Sequence, residues 1–143
     1  MQRIVILGNA GSGKSTLARA IGERLGLPVV HLDSLFWSPG WVEPDAEQFR
    51  TRVRDAVAPD AWVCEGNYAR RTFDLRLPRA DLIIWLDTPR LTCFTRVLVR
   101  SALNRPRPDL PAGCTEKLDR EFLTFLKYVW TFDRGSRPRI EAV

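Results

Sequence analysis

The stretch Gly8-Asn9-Ala10-Gly11-Ser12-Gly13-Lys14-Ser15 constrains this chain more than any other, and Thr16 follows it. It fits the spacing G-x-x-x-x-G-K-[ST] without departure. The pattern is short, so its flanks have to decide it. Upstream, Arg3-Ile4-Val5-Ile6-Leu7 is a continuous apolar, β-branched run, which predicts a strand buried on both faces of a parallel sheet. Downstream, Leu17, Ala18, Ile21 and Leu25 recur at helical spacing, and Gly26 and Pro28 stop the helix. A strand, a glycine loop and a helix N-terminus in that order make an anion site. The glycines let backbone N–H groups curl around phosphate, and the helix dipole adds partial positive charge. Residues Gly8 to Thr16 are the expected phosphate-contacting set. Lys14 is placed for the outer phosphates of a nucleoside triphosphate, and the Ser15 hydroxyl for Mg²⁺.

The 143 residues suffice for a single domain, expected over 1–143, with one sizeable core. No apolar run is long enough to span a bilayer, so no membrane partner is expected. The N-terminus enters the first strand directly, leaving no room for a signal peptide. Cys64, Cys93 and Cys114 are widely spaced and fit neither a zinc site nor a disulfide framework. A reducing, cytoplasmic setting suits them. The formal charge is +5, and 19 of the 22 basic residues are arginine. Arginine forks suit phosphates, whether on a small ligand or on a polymer.

Taken in order, Leu27 to Leu32 predicts a second strand that delivers Asp33 at its C-terminal end, where ligands bind in parallel α/β sheets. His31 is the one histidine, and a hydrogen-bonded structural role is expected for it. Leu35-Phe36-Trp37-Ser38-Pro39-Gly40-Trp41-Val42 reads as a loop. Its aromatics either form a satellite core or wall a pocket, with Trp37 and Trp41 the candidates for the wall. Asp45 and Gln48 form a capping box for a helix that buries Phe49, Val53 and Val57. Ala61-Trp62-Val63-Cys64 predicts a third strand, ending in Glu65-Gly66-Asn67-Tyr68 in the ligand crevice. Arg70 to Arg79 holds one short helical segment ending at Pro78. Leu82 to Leu86 is the fourth buried strand. Thr88 then caps a helix whose apolar stripe is Leu91, Phe94, Leu98 and Ala102, with Arg96 and Arg100 on one face. Residues 104–114 contain three prolines and one glycine and read as a lid carrying Arg105 and Arg107. Thr115 caps a last helix with a stripe of Leu118, Phe122, Leu126 and Val129.

This order resembles the adenylate-kinase-like P-loop small-molecule kinases, among them adenylate kinase and shikimate kinase. The likeness is closest to the DNA topology modulation proteins. It rests on the glycine loop; His31-Leu32-Asp33 with Trp37 and Gly40-Trp41; Glu65-Gly66-Asn67-Tyr68; Arg79-Ala80-Asp81; Trp85-Leu86-Asp87; Arg96 and Arg100; Arg105-Pro106-Arg107-Pro108-Asp109; Gly113-Cys114; and Glu121-Phe122. The resemblance implies ATP and Mg²⁺ as cofactors, with Ser15 and Glu65 on the metal side, Glu65 through a water. It implies an adenine-stacking role for Arg96 and a phosphate contact for Arg100, which with Lys14 and Asp33 complete the catalytic set. Asp33, Trp37, Trp41, Asn67 and Arg70 are the implied acceptor pocket. Where adenylate kinase continues Asp-Gly with Phe-Pro-Arg, this chain has Asn67-Tyr68-Ala69, and Arg70 or Arg71 stands in for that arginine.

The expected fold is a three-layer α/β domain with a parallel sheet in the order 2-3-1-4. The fifth strand usual in this fold is missing, so strand four becomes an apolar edge that invites a homodimer. The expected function is transfer of the γ-phosphate of ATP to a small nucleotide or hydroxyl acceptor. The weaker alternative is a nucleotide-dependent DNA-binding protein: nine arginines fall between Arg70 and Arg107, against three acidic residues, but no DNA-binding motif accompanies them. No D-x-x-G or N-K-x-D string occurs, which sets aside a GTPase switch.

Overall fold

The computed structural model describes residues 2–37, 43–102 and 120–131. Four strands, β1 (Arg3–Gly8), β2 (Val29–His31), β3 (Trp62–Glu65) and β4 (Leu82–Leu86), form one sheet in the order β2-β3-β1-β4. All three pairings are parallel, with Val30 opposite Cys64, Val5 opposite Cys64 on the other side, and Val5 opposite Ile83. This is the order expected from the sequence.

Alternation along β1 builds the layers. Ile4 and Ile6 turn to one face, where they meet Ala18, Leu17 and Ile21 of helix α1 (Lys14–Leu25). Val5 and Leu7 turn to the other, into a larger core with Phe36, Phe49, Val53 and Phe73. Those residues come from α2 (Leu32–Phe36), α3 (Ala46–Ala56) and α4 (Ala69–Arg76). A short 3₁₀ turn, Leu77–Arg79, leads into β4. Helices α5 (Arg90–Ala102) and α6 (Arg120–Thr131) bury Cys93, Val97, Leu126 and Val129 between them, with Ala10 packed against the same cluster.

Several local expectations are corrected. β2 is three residues long, not six, and the chain turns at once into α2. Leu35 and Phe36 therefore lie in a helix rather than a loop, and Phe36 is core. Asp45 sits at the N-cap of α3 but makes no side-chain capping bond, so the expected capping box does not form. Thr88 does not cap α5; its hydroxyl donates to the Ser12 carbonyl at 3.0 Å. The buried stripe of α5 is Cys93 and Val97, whereas Leu91 is 63% exposed. Leu126 and Val129 are buried in α6 as expected. Thr115, Leu118 and the lid 104–114 lie outside the described residues. Among the described residues β4 is one of the two edge strands, β2 the other, and its Leu82 and Ile83 are exposed. No helix among them is long and apolar enough to cross a membrane.

Candidate functional site

The glycine loop joins β1 to α1, and three tethers hold its shape. Asn9 donates to the Val129 carbonyl of α6 at 2.9 Å, and its own side-chain oxygen accepts from the Ala10 N–H at 2.8 Å. The Ser12 N–H closes a turn on the Asn9 carbonyl. Gly11 lies against α5: its φ is +74°, and a Cβ there would stand 2.6 Å from the Cys93 carbonyl oxygen. Only glycine allows that approach, which is why the helix face carrying Cys93 and Val97 turns inward. Arg96, on the same helix, donates to the Gly11 carbonyl at 3.3 Å. Lys14 Nζ reaches back to the Asn9 carbonyl at 2.8 Å. Helix α1 starts at Lys14 after Gly13, with no side chain capping it.

The end of β3 lies beside this loop. Glu65 is buried, and its Oε1 accepts from the Ser15 hydroxyl at 3.0 Å and lies 2.8 Å from His31 Nδ1. The expected metal-side pair, Ser15 and Glu65, is therefore in contact, and His31 has its structural hydrogen bond. Two residues on, Asn67 pairs with both backbone groups of Gly8: it accepts from the N–H at 3.1 Å and donates to the carbonyl at 2.6 Å. Its amide thus clamps the start of the phosphate loop. Behind it lies Arg76, fully buried, which sequence reasoning missed. Its guanidinium donates to the Asn67 carbonyl and to the Thr72 hydroxyl, and lies 3.8 Å from the Cys64 sulfur. Burial lowers the pKa of Arg76, while Cys64 and Glu65 favour its charged form.

Asp33 occupies the first turn of α2, two residues beyond the end of β2. It accepts from the Tyr68 hydroxyl at 2.6 Å. Burial, then the neighbouring Asp33 carboxylate, push the Tyr68 phenol far above its ordinary pKa, so it remains a donor. Asp33 and the phosphate loop follow β2 and β1, which lie on either side of β3, and this puts roughly 10 Å between the strand ends. Trp37 packs edge-on against Phe36, 4.8 Å between ring centres, and is half-buried against the larger core. Arg70 lies in the first turn of α4, and Arg71 stands over the Phe36 ring at 5.2 Å. Arg100 lies one turn beyond Arg96 on α5. Trp41, Arg105 and Arg107 lie outside the described residues.

These residues fit a phosphate ligand with a divalent cation. The uncapped N-terminus of α1 leaves first-turn N–H groups for an anion. The Ser12 hydroxyl, buried in the loop, has no hydrogen-bond partner among the described residues. Ser15 and Glu65 offer two hard oxygen donors, which suits Mg²⁺, an ion held by few protein groups and completed by phosphate and water.

Adenylate kinase 2 of Nostoc sp. is 33% identical to this chain over 164 residues, covering 94% of the chain and 86% of that protein. The shikimate kinase of Symbiobacterium thermophilum is 32% identical over 123 residues, 72% of the chain and 67% of that protein. The crystal structure of shikimate kinase from Bacteroides thetaiotaomicron superimposes with a TM-score of 0.59 at 21% identity, covering 94% of the chain and 80% of its own, and shares the fold. No family model matches the sequence.

Proposed function

As a member of the adenylate-kinase-like P-loop kinases, the chain is, we propose, a Mg²⁺-dependent enzyme that moves the γ-phosphoryl group of ATP to the hydroxyl of a small acceptor. The observation that carries this reading is the Asp33 carboxylate, held by Tyr68 across β3 from an uncapped phosphate loop. In the reaction the acceptor oxygen bonds to the γ-phosphorus, the bridge to the β-phosphate breaks, and ADP leaves. Asp33 takes the acceptor proton. Lys14 and Arg96, together with Arg100, offset charge on the transferring group, and loop N–H groups hold the phosphates in line. Mg²⁺, when bound by Ser15 and through water by Glu65, neutralises phosphate charge.

The names of the two relatives point to different acceptors, adenylate and shikimate. Asp33 favours the hydroxyl class: a carboxylate accepts a hydroxyl proton but repels an acceptor phosphate. The DNA-binding alternative rests on the arginines between Arg70 and Arg107. Among the described residues, Arg76 is buried, Arg79 donates to the Val57 carbonyl and Arg90 stands over Trp130. Each already engages the protein, which disfavours that alternative.

The test is Lys14→Ala, with ATP binding measured by calorimetry and transfer assayed on nucleoside monophosphates and shikimate. Most of the ATP affinity and all transfer should be lost. Unchanged ATP affinity would mean that the loop does not hold the triphosphate.

A further inference from the structure

Four consecutive residues, the last of β3 and the three that follow it, touch both halves of the site. Glu65 meets Ser15 and His31; Asn67 meets both backbone groups of Gly8; Tyr68 meets Asp33. Between them, Gly66 lies so close to α2 that a Cβ there would stand 2.9 Å from Leu32 Cβ, one residue before Asp33. Tyr68 holds a left-handed conformation, φ 44° and ψ 47°, and is the one described non-glycine residue with positive φ. A bulky residue keeps that conformation only where its surroundings over-determine it, and such strain gathers at functional sites. Here the surroundings are explicit. The Tyr68 ring packs 5.0 Å from Phe36 and 5.1 Å from Phe49, its hydroxyl is on Asp33, and its carbonyl accepts from the Thr72 N–H. On the other side, buried Arg76 pins the Asn67 carbonyl.

We propose that Asn67 and Tyr68 form one rigid bridge that sets the spacing between the phosphate loop and the acceptor-binding carboxylate. Both are positioning residues: Asn67 acts through Gly8, and Tyr68 through Asp33. The proposal rests on the kinase reading above. Its physical content is the backbone they share. With the peptide between them held by Arg76 and by the strained Tyr68, the two side chains cannot shift independently. A shift of about 1 Å between donor and acceptor groups costs on the order of 10²-fold in rate. Misplacement of this kind loses transfer to the acceptor more than transfer to water, because water is small enough to follow the phosphate. The ratio of acceptor phosphorylated to ATP hydrolysed therefore reads the bridge, and a general loss of stability does not move it.

The experiment uses the full chain, ATP and Mg²⁺, with whichever of shikimate or a nucleoside monophosphate the wild type phosphorylates. Tyr68→Phe removes one hydroxyl, and Asn67→Asp removes one donor to Gly8; Asn67→Ser replaces it if the aspartate variant does not fold. Tyr68→Phe should lower the transfer-to-hydrolysis ratio about tenfold or more and raise the acceptor KM, with the ATP KM within about twofold. Asn67→Asp should lower the same ratio and raise the ATP KM. The double variant should lose less than the product of the two single losses, since each frees the same bridge. A wild-type ratio in either single variant, or losses that multiply, would overturn the bridge while leaving the kinase reading intact. A wild-type protein that binds ATP and phosphorylates none of the acceptors would overturn both, and is told apart by the wild type alone.

Discussion

Asp33 and Glu65 are carboxylates delivered by neighbouring strand ends, β2 and β3, and their surroundings separate their roles. Glu65 is buried, and one of its oxygens is already shared between Ser15 and His31. It is fixed as part of the wall. Asp33 is half-buried at a helix start, with the Tyr68 hydroxyl holding one oxygen. That phenol is kept protonated by burial and by the Asp33 charge itself, so the pair is stable as donor and carboxylate. A carboxylate oriented in this way is suited to accept a proton from an acceptor hydroxyl. Asp33→Asn keeps the shape and still accepts from Tyr68, but loses the charge. ATP binding should survive and transfer should fall by about 10²–10⁴-fold, the usual contribution of general base catalysis. Single-turnover assays with saturating ATP check this, and a variant that transfers at the wild-type rate would move the base to Glu65.

Helix α1 shows why element-scale reasoning needs the neighbours as well as the propensity. Gly22 lies within it, and in an isolated helix Gly→Ala stabilises by about 0.5–1 kcal/mol. Here a Cβ would stand 2.4 Å from Val29 Cγ2 and 2.9 Å from the Leu27 carbonyl oxygen. Val29 belongs to β2, so the helix would have to lift from the sheet. Overpacking of this kind costs about 1–3 kcal/mol, so Gly22→Ala should destabilise by about 1–2 kcal/mol net, read from urea unfolding. A more stable variant would show that the contact relaxes freely. The same dependence on neighbours divides what the sequence made legible from what it did not. The strands β1 and β4 and the glycine loop are readable because each is a continuous local signal. On α5, Leu91, Phe94 and Leu98 make as good a helical stripe as Cys93 and Val97. The choice falls to the second because Gly11 packs there, and nothing within α5 announces that. Helix α2 is only five residues long, too short for its period to register. Asn67 clamps Gly8 from 59 residues away, and Arg76 is buried for the sake of the Asn67 carbonyl and Thr72. Such single-residue roles leave no periodic trace. A lone arginine among apolar positions, Phe73, Leu75 and Leu77, was the one available signal for Arg76.

At the scale of the whole molecule, the sheet is closed at the end opposite the site by Asp81. Its Oδ2 accepts from the backbone N–H groups of Gln2 and Arg3 at 3.1 and 3.0 Å, and its Oδ1 lies 3.2 Å from the Arg3 guanidinium. The Asp81 N–H in turn donates to the Arg3 carbonyl at 2.7 Å. These bonds fix the start of β1 against the start of β4, in register with Ile4 opposite Leu82. The hydrogen bond from Arg3, followed by those from the two backbone N–H groups, lowers the carboxyl from its ordinary 3.8 to about 2. The sign follows from linkage. A carboxyl depressed in the folded state binds protons more readily when unfolded. Its stabilisation is full above about 3.8 and disappears as pH falls through about 2. Asp74, held down by Arg50, adds to acid sensitivity in the same direction. The Asp81 share is isolated by Asp81→Asn, which cannot titrate. Thermal unfolding from pH 7 to pH 2 should show a variant less stable than wild type at neutral pH. The two curves should converge as pH drops from about 4 to about 2. Because both side chains of the pair are about a third exposed, raising the salt to about 1 M should narrow the neutral-pH gap. Parallel curves at every pH would mean that Asp81 holds the sheet through its shape and not its charge.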